Sequence, residues 1–237
     1  MPHTPPTLSA RSVALSLLLG SHPDPMSSAV LTHAGEHLGV PSATTRVALT
    51  RAVAAGDLVR RGSEYGLGER LVRRQRRQDE AVRDAEKPWD GSWEMAVVVV
   101  AGRTAADRAA LRGELAAHRL AELREGVWTR PANLRRTPRY GEDPVLRTFR
   151  AEPDEPAELV RSLWDLDAWA TEGRRLLDDL RRTPDPAPRL AVAAALVRHL
   201  ASDPLLPPQL LPADWPSEDL RAGYASYQAE LRVLALS

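Results

Sequence analysis

The sequence predicts an α+β fold in three parts: helices closed by a hairpin, a small strand–helix–strand sheet, and a helical remainder. Three observations carry this. Apolar stripes at helical spacing, each ended by Gly, run from residue 10 to Gly56 and then give way to short strand patterns. A β-branched run at Trp93–Val100 opens a segment where strand and helix patterns alternate. Beyond residue 153 only helix patterns and proline breaks remain.

Residues 1–9 carry three prolines and no periodicity, so a disordered leader is expected there. Ser9 is placed to cap a first helix with Val13, Ala14, Leu17 and Leu18 on its apolar side. Gly20 ends it, and His22-Pro23-Asp24-Pro25 reads as a loop. A second helix starts at Ser27 or Ser28, with Val30, Leu31, Ala34 and Leu38 on one face. The Gly39-Val40-Pro41 turn leads to a third helix from Ser42 or Thr44 to about Ala55, which Gly56 closes as a left-handed cap. Asp57–Arg61 and Tyr65–Leu67 read as two strands around a Gly62-Ser63-Glu64 turn. Three short helices and a hairpin make residues 10–68 a winged helix-turn-helix domain.

Residues 69–88 are almost wholly polar and predict a charged connector helix. In 89–152, a strand at Trp93–Val100 precedes a helix capped by Thr104 and running to about Leu123. A strand at Gly126–Pro131 and another at Val145–Arg150 then predict a small ferredoxin-like sheet. Residues 153–237 form a helical C-terminal domain on this reading. Its helices cover Glu158–Leu180, Arg189–Ala201 and Leu220–Leu236, with a proline-broken stretch at Asp203–Asp219.

Composition narrows the function. With no cysteine, disulfides, thiolate metal sites and thiol nucleophiles are excluded. No apolar run approaches a membrane span and no secretory leader is evident, so a cytoplasmic protein is expected. The zero net charge hides an asymmetry. Ten arginines face five acidic residues through Gln78, whereas 22 basic face 27 acidic residues thereafter. A basic first unit on an acidic body fits contact of the first unit alone with a polyanion.

In a helix-turn-helix the recognition helix enters the major groove. The candidate DNA-contacting residues are therefore Ser42, Thr44, Arg46, Thr50 and Arg51, with Arg60, Arg61 and Tyr65 at the wing. Arg46 has the two-pronged donor geometry that reads guanine, and hydroxyls suit phosphates or several base edges. His33 and His37 lie four residues apart, a spacing that can chelate a metal, but no third ligand is visible and no metal is assigned. The chain has no phosphate loop, nucleophile elbow or dinucleotide fingerprint, so no enzyme, catalytic residue or cofactor is expected. Its six tryptophans and single phenylalanine make the indoles the main aromatic packing.

Separated segments resemble the PaaX family of repressors of phenylacetic acid catabolism. In the first domain they are Arg46-Val47-Ala48-Leu49-Thr50-Arg51 and Gly56-Asp57-Leu58. More specific are Trp89-Asp90-Gly91-Ser92-Trp93 and Gly126-Val127-Trp128 with Pro131 after it. Asp203-Pro204-Leu205-Leu206-Pro207, Leu210-Leu211-Pro212 and Asp214-Trp215-Pro216 resemble the family's C-terminal signature. The resemblance is collinear from Arg11 to Leu236. It implies a homodimeric repressor of operator DNA, relieved by a small-molecule effector, an acyl-CoA such as phenylacetyl-CoA, through residues not yet assigned. It also implies a central domain like the ferredoxin-like fold of small CRISPR-associated nucleases. The chain departs from the family in its poverty of Phe and Tyr, its single lysine (Lys87) and the short, non-basic His22–Ser27 stretch. Two other readings stand beside this one. One is a regulator of an unrelated pathway with a different effector. The other is a metal-dependent nuclease using the central domain, with Asp90 before its first strand as the candidate ligand.

Overall fold

A computed structural model describes residues 9–21, 24–72, 87–136 and 139–236. The expected leader and most of the expected connector helix lie outside the described residues. The chain forms two compact units: 1–80 with 170–202 and 216–237, and 81–169 with 203–215. Among the described residues no helix is long and apolar enough to cross a membrane.

In the first unit, α1 (Ala10–Ser21) starts at Ser9, whose Oγ accepts from the Ser12 N–H at 3.2 Å. Val13, Ala14, Leu17 and Leu18 are all buried, which makes α1 a central support. Next come β1 (Met26–Ser27), α2 (Ser28–His37) and α3 (Ser42–Ala54). The hairpin of β2 (Leu58–Arg61) and β3 (Glu64–Leu67) follows. The sequence reading assigns no strand at Met26–Ser27, between the His22–Pro25 loop and the second helix. Two residues carry no periodicity, and only pairing with β3, Met26 opposite Tyr65, makes them a strand. The sheet order is β1-β3-β2, antiparallel throughout.

In the second unit, β4 (Trp93–Val98) is followed by α4 (Ala105–Ala117), β5 (Ala121–Arg124) and β6 (Val127–Pro131). A 3-10 turn at Arg139–Glu142 leads into β7 (Leu146–Ala151). The antiparallel order is β5-β6-β4-β7. Helix α4 is shorter than the pattern to Leu123 suggests. It stops because Arg119 takes a left-handed conformation, φ 61°. The helix-favouring Ala121–Arg124 is then drawn into an edge strand against β6, tertiary pairing overriding local propensity. Ala96, Leu111, Leu115, Leu120, Trp128, Tyr140 and Leu146 pack between α4 and the sheet.

The expected helix at Glu158–Leu180 is two helices, α5 (Pro156–Leu163) and α6 (Leu166–Arg182). Trp164 is extended, and Asp165 Oδ1 accepts from the Ala168 N–H at 2.9 Å to restart the helix. Then follow α7 (Pro186–Leu200), a 3-10 turn at Pro208–Leu210 and α8 (Ser217–Leu236). Residues 153–237, read from sequence as one helical domain, are divided between the two units. Helices α7 and α8 pack on α1 in the first unit. Glycines set the approach of α6 to its neighbours: a Cβ at Gly223 would stand 2.3 Å from Leu177 Cδ1. In the second unit, Trp93, Val160 and Leu206 form a second core with Trp89 and Trp164 around it.

Candidate nucleic-acid interface

Helix α3 has a buried face of Thr45, Ala48, Leu49 and Ala52 and an exposed face of Thr44, Arg46, Val47, Thr50 and Arg51. Its seating on α2 depends on Gly35, where a Cβ would meet Thr45 Oγ1 at 2.8 Å. Gly39, at φ 77°, makes the turn between the two helices. The sequence-predicted residues do not share one role. Arg46 and Arg51 are exposed on α3, and no ion pair holds either among the described residues. The Thr50 hydroxyl donates to the Arg46 carbonyl at 3.0 Å, leaving its oxygen able to accept. Ser42 is only half-exposed, and its hydroxyl donates to the Glu36 carboxylate. Thr44 is exposed in the first turn.

At the hairpin, Arg60 and Arg61 are exposed, and Gly62 turns the strands at φ 63°. Arg60 Nε donates to the Gly62 carbonyl at 2.8 Å, and its guanidinium lies 5.7 Å from the Tyr65 ring centroid. Tyr65, expected at the surface of the wing, is only 6% exposed. Its ring packs inward beside β1, so it supports Arg60 instead of presenting itself.

Two residues escaped the sequence reading. Val47 is 50% exposed between Arg46 and Thr50. An apolar group there is suited to a thymine methyl; its position on the outer stripe of α3 was the available signal. Asp57 is buried, and both its carboxylate oxygens are engaged, by Arg11 of α1 and by Arg70 beyond β3. The Arg11 hydrogen bond, against the cost of burial, holds this carboxyl below its usual range, with Arg70 adding to the effect. A buried acid after a Gly cap ties the start of α1 and the chain after the hairpin to the end of α3. Nothing in local periodicity announces it.

Other candidates resolve into structural contacts. His33 and His37 face one another, Nε2 to Nε2, at 3.1 Å with their rings edge to face. Among the described residues no three His, Cys, Asp or Glu side chains are grouped to hold a metal. Asp90 accepts from the Ser92 N–H at 3.0 Å and from the Ser92 hydroxyl, which hold its carboxyl below the ordinary value. It therefore closes the turn in which Gly91 sits at φ 88° and Trp89 Nε1 donates to the Ser92 carbonyl at 2.7 Å. His118, which had no evident partner in the sequence, stands with Nδ1 3.1 Å from an Arg136 nitrogen.

Comparison with known proteins gives three findings. Residues 86–160 match the family description PaaX protein central Cas2-like domain. The structure is similar to that of an uncharacterized protein from Mycobacterium tuberculosis, with a TM-score of 0.86 and 46% sequence identity, covering 96% of this chain and 97% of that one. None of the curated proteins compared matches the chain.

Proposed function

The chain belongs to the PaaX family of transcriptional regulators, and from that premise we propose that it is a ligand-responsive repressor binding operator DNA as a homodimer. In this reading residues 10–68 are a winged helix-turn-helix domain and α3 is its recognition helix. The second unit's sheet is ferredoxin-like, with the 3-10 turn at Arg139–Glu142 standing where a second helix would lie. The observation that carries the DNA-binding role is the outer face of α3. Arg46, Thr50 and Arg51 project there without an acidic partner among the described residues, while the opposite face is locked into the core. Arg46 reads a guanine edge; Thr44 and Arg51 set the helix against the backbone, and Arg61 holds a phosphate at the wing.

The effector is an acyl-CoA, with phenylacetyl-CoA as the first to test. A cavity of about 420 Å³ in the second unit supports this class: Arg103 and Arg108 line it, together with Arg112, which is paired to Glu122 at 3.2 Å, and Glu125. Guanidinium groups suit phosphates. The protein acts without catalysis in this reading and works in the cytoplasm.

A gel-shift titration tests the DNA-reading assignment. Arg46→Ala should weaken operator binding about 5- to 150-fold, the equivalent of roughly 1–3 kcal/mol for a bidentate base contact. Unchanged operator affinity in this variant overturns the assignment of α3.

A further inference from the structure

Helix α3 turns a defined order of side chains outward. At about 100° per residue, Thr45, Ala48, Leu49 and Ala52 occupy the arc against the core. Ala43, Val47, Thr50 and Ala54 are exposed within about 30° of the line pointing directly away from that arc. Arg46 and Arg51 stand about 70° to either side of the same line, and Thr44 lies beyond Arg51. Val47 is 50% exposed, and among the large apolar side chains that the described residues leave exposed it is the one on α3.

The outward line of a recognition helix faces the base edges when the helix lies in a major groove. Along that line α3 offers the bases no hydrogen-bond donor. The side chains of Ala43, Val47 and Ala54 have none, and the Thr50 hydroxyl donates to the Arg46 carbonyl at 3.0 Å. Donors stand at the flanks, on Arg46, Arg51 and Thr44. What the line does offer is methyl groups, and the floor of the major groove presents one apolar partner for them, the C5 methyl of thymine. The short side chains of Ala43 and Ala54 let the helix axis approach the floor, and Val47 carries the largest apolar group there.

We propose that Val47 is a specificity-determining residue, reading the methyl of a thymine in the same half-site as the guanine taken by Arg46. This role rests on the reading of α3 as a recognition helix. Packing a thymine methyl against Val47 removes apolar surface from water, and on the scale of one methyl group this is about fourfold in affinity. A branched side chain in a helix keeps one preferred χ1, so little rotamer freedom is lost on contact. Such a contact separates thymine from uracil, which differ only in the methyl. A polar reader of the same edge treats the two alike, because both present the O4 acceptor.

Selection by the full chain from a pool of random duplexes gives the preferred sequence on which the contact is tested. Each thymine of that duplex is then replaced in turn by deoxyuridine, which removes only the methyl, and by bromodeoxyuridine, which restores a group of similar size. At one thymine of a half-site, deoxyuridine should weaken binding by the parent about fourfold and bromodeoxyuridine should restore it. Val47→Ala should bind the thymine duplex more weakly by about the same factor and lose nothing further when that thymine becomes deoxyuridine. Alanine is the better helix former at an exposed position, so this variant should melt no lower than the parent. A preferred duplex in which no thymine responds to deoxyuridine, or a response that Val47→Ala keeps in full, overturns the role of Val47 and leaves the operator reading standing. A pool that yields no preferred sequence overturns both.

Discussion

Arg130 lies fully buried and donates to the carbonyl of Leu205 at 2.9 Å, across 75 positions of sequence. The same carbonyl accepts from Asn133 Nδ2 at 3.0 Å, and the Leu205 N–H donates to Asp203 Oδ1 at 3.0 Å. Leu205 is held at φ 49°, a left-handed conformation costly for a side chain with a Cβ. These bonds fix Asp203–Leu206 in the second unit. Burial pushes the guanidinium down to about 9, opposed by Glu94 at 3.3 Å, so it remains cationic at neutral pH. Arg130→Met should cost about 3–5 kcal/mol in urea unfolding, because it leaves polar partners buried and unmatched. A loss below about 1 kcal/mol contradicts this role.

The close approach at Gly35 predicts a change of sign. Gly35→Ala alone should destabilise by about 1–3 kcal/mol, since the new Cβ meets Thr45 Oγ1 at 2.8 Å. With Thr45→Ala the clash is gone, and alanine's helix preference should make the double variant more stable than Thr45→Ala by about 0.5–1 kcal/mol. Chemical unfolding of the four proteins in this cycle measures the coupling.

Acid should expose the Asp57 anchor. Its folded pKa is depressed, so its contribution is complete above the unfolded value of about 3.9 and is lost as pH falls through the folded value. The stability gap between the parent and Asp57→Asn should therefore be constant from pH 7 to about 5 and close progressively below about pH 4. A gap that widens on acidification reverses the assigned sign.

Salt separates reading from anchoring at the DNA surface. Arg51→Ala and Arg61→Ala should each reduce the slope of log affinity against log salt by about 1. They should weaken operator and unrelated DNA alike. Arg46→Ala should instead reduce the preference for operator, measured by competition against unrelated duplex.

Glycine and cap signals are read within one element. For that reason the sequence located Ser9, Gly56, Thr104 and the three N-terminal helices within a residue or two. The exposed positions of α3 follow from the same 3.6-residue period that buries Leu49. Partners far along the chain leave no such mark. Neither the inward turn of Tyr65 nor the pairing of Asp57 with Arg11 and Arg70 has a local pattern. Strand β5 defeats propensity for the same reason, since only β6 makes it a strand.

By itself, then, the sequence determined where the three N-terminal helices begin and end, which face of α3 is apolar, and which family the motifs resemble. Tertiary structure alone decided that residues 153–237 are shared between two units and that Arg130 is buried against Leu205. It also decided that the Tyr227 hydroxyl is buried with no hydrogen-bond partner among the described residues. The reason is one of range: periodicity records which side of an element is buried, and folding chooses what it is buried against.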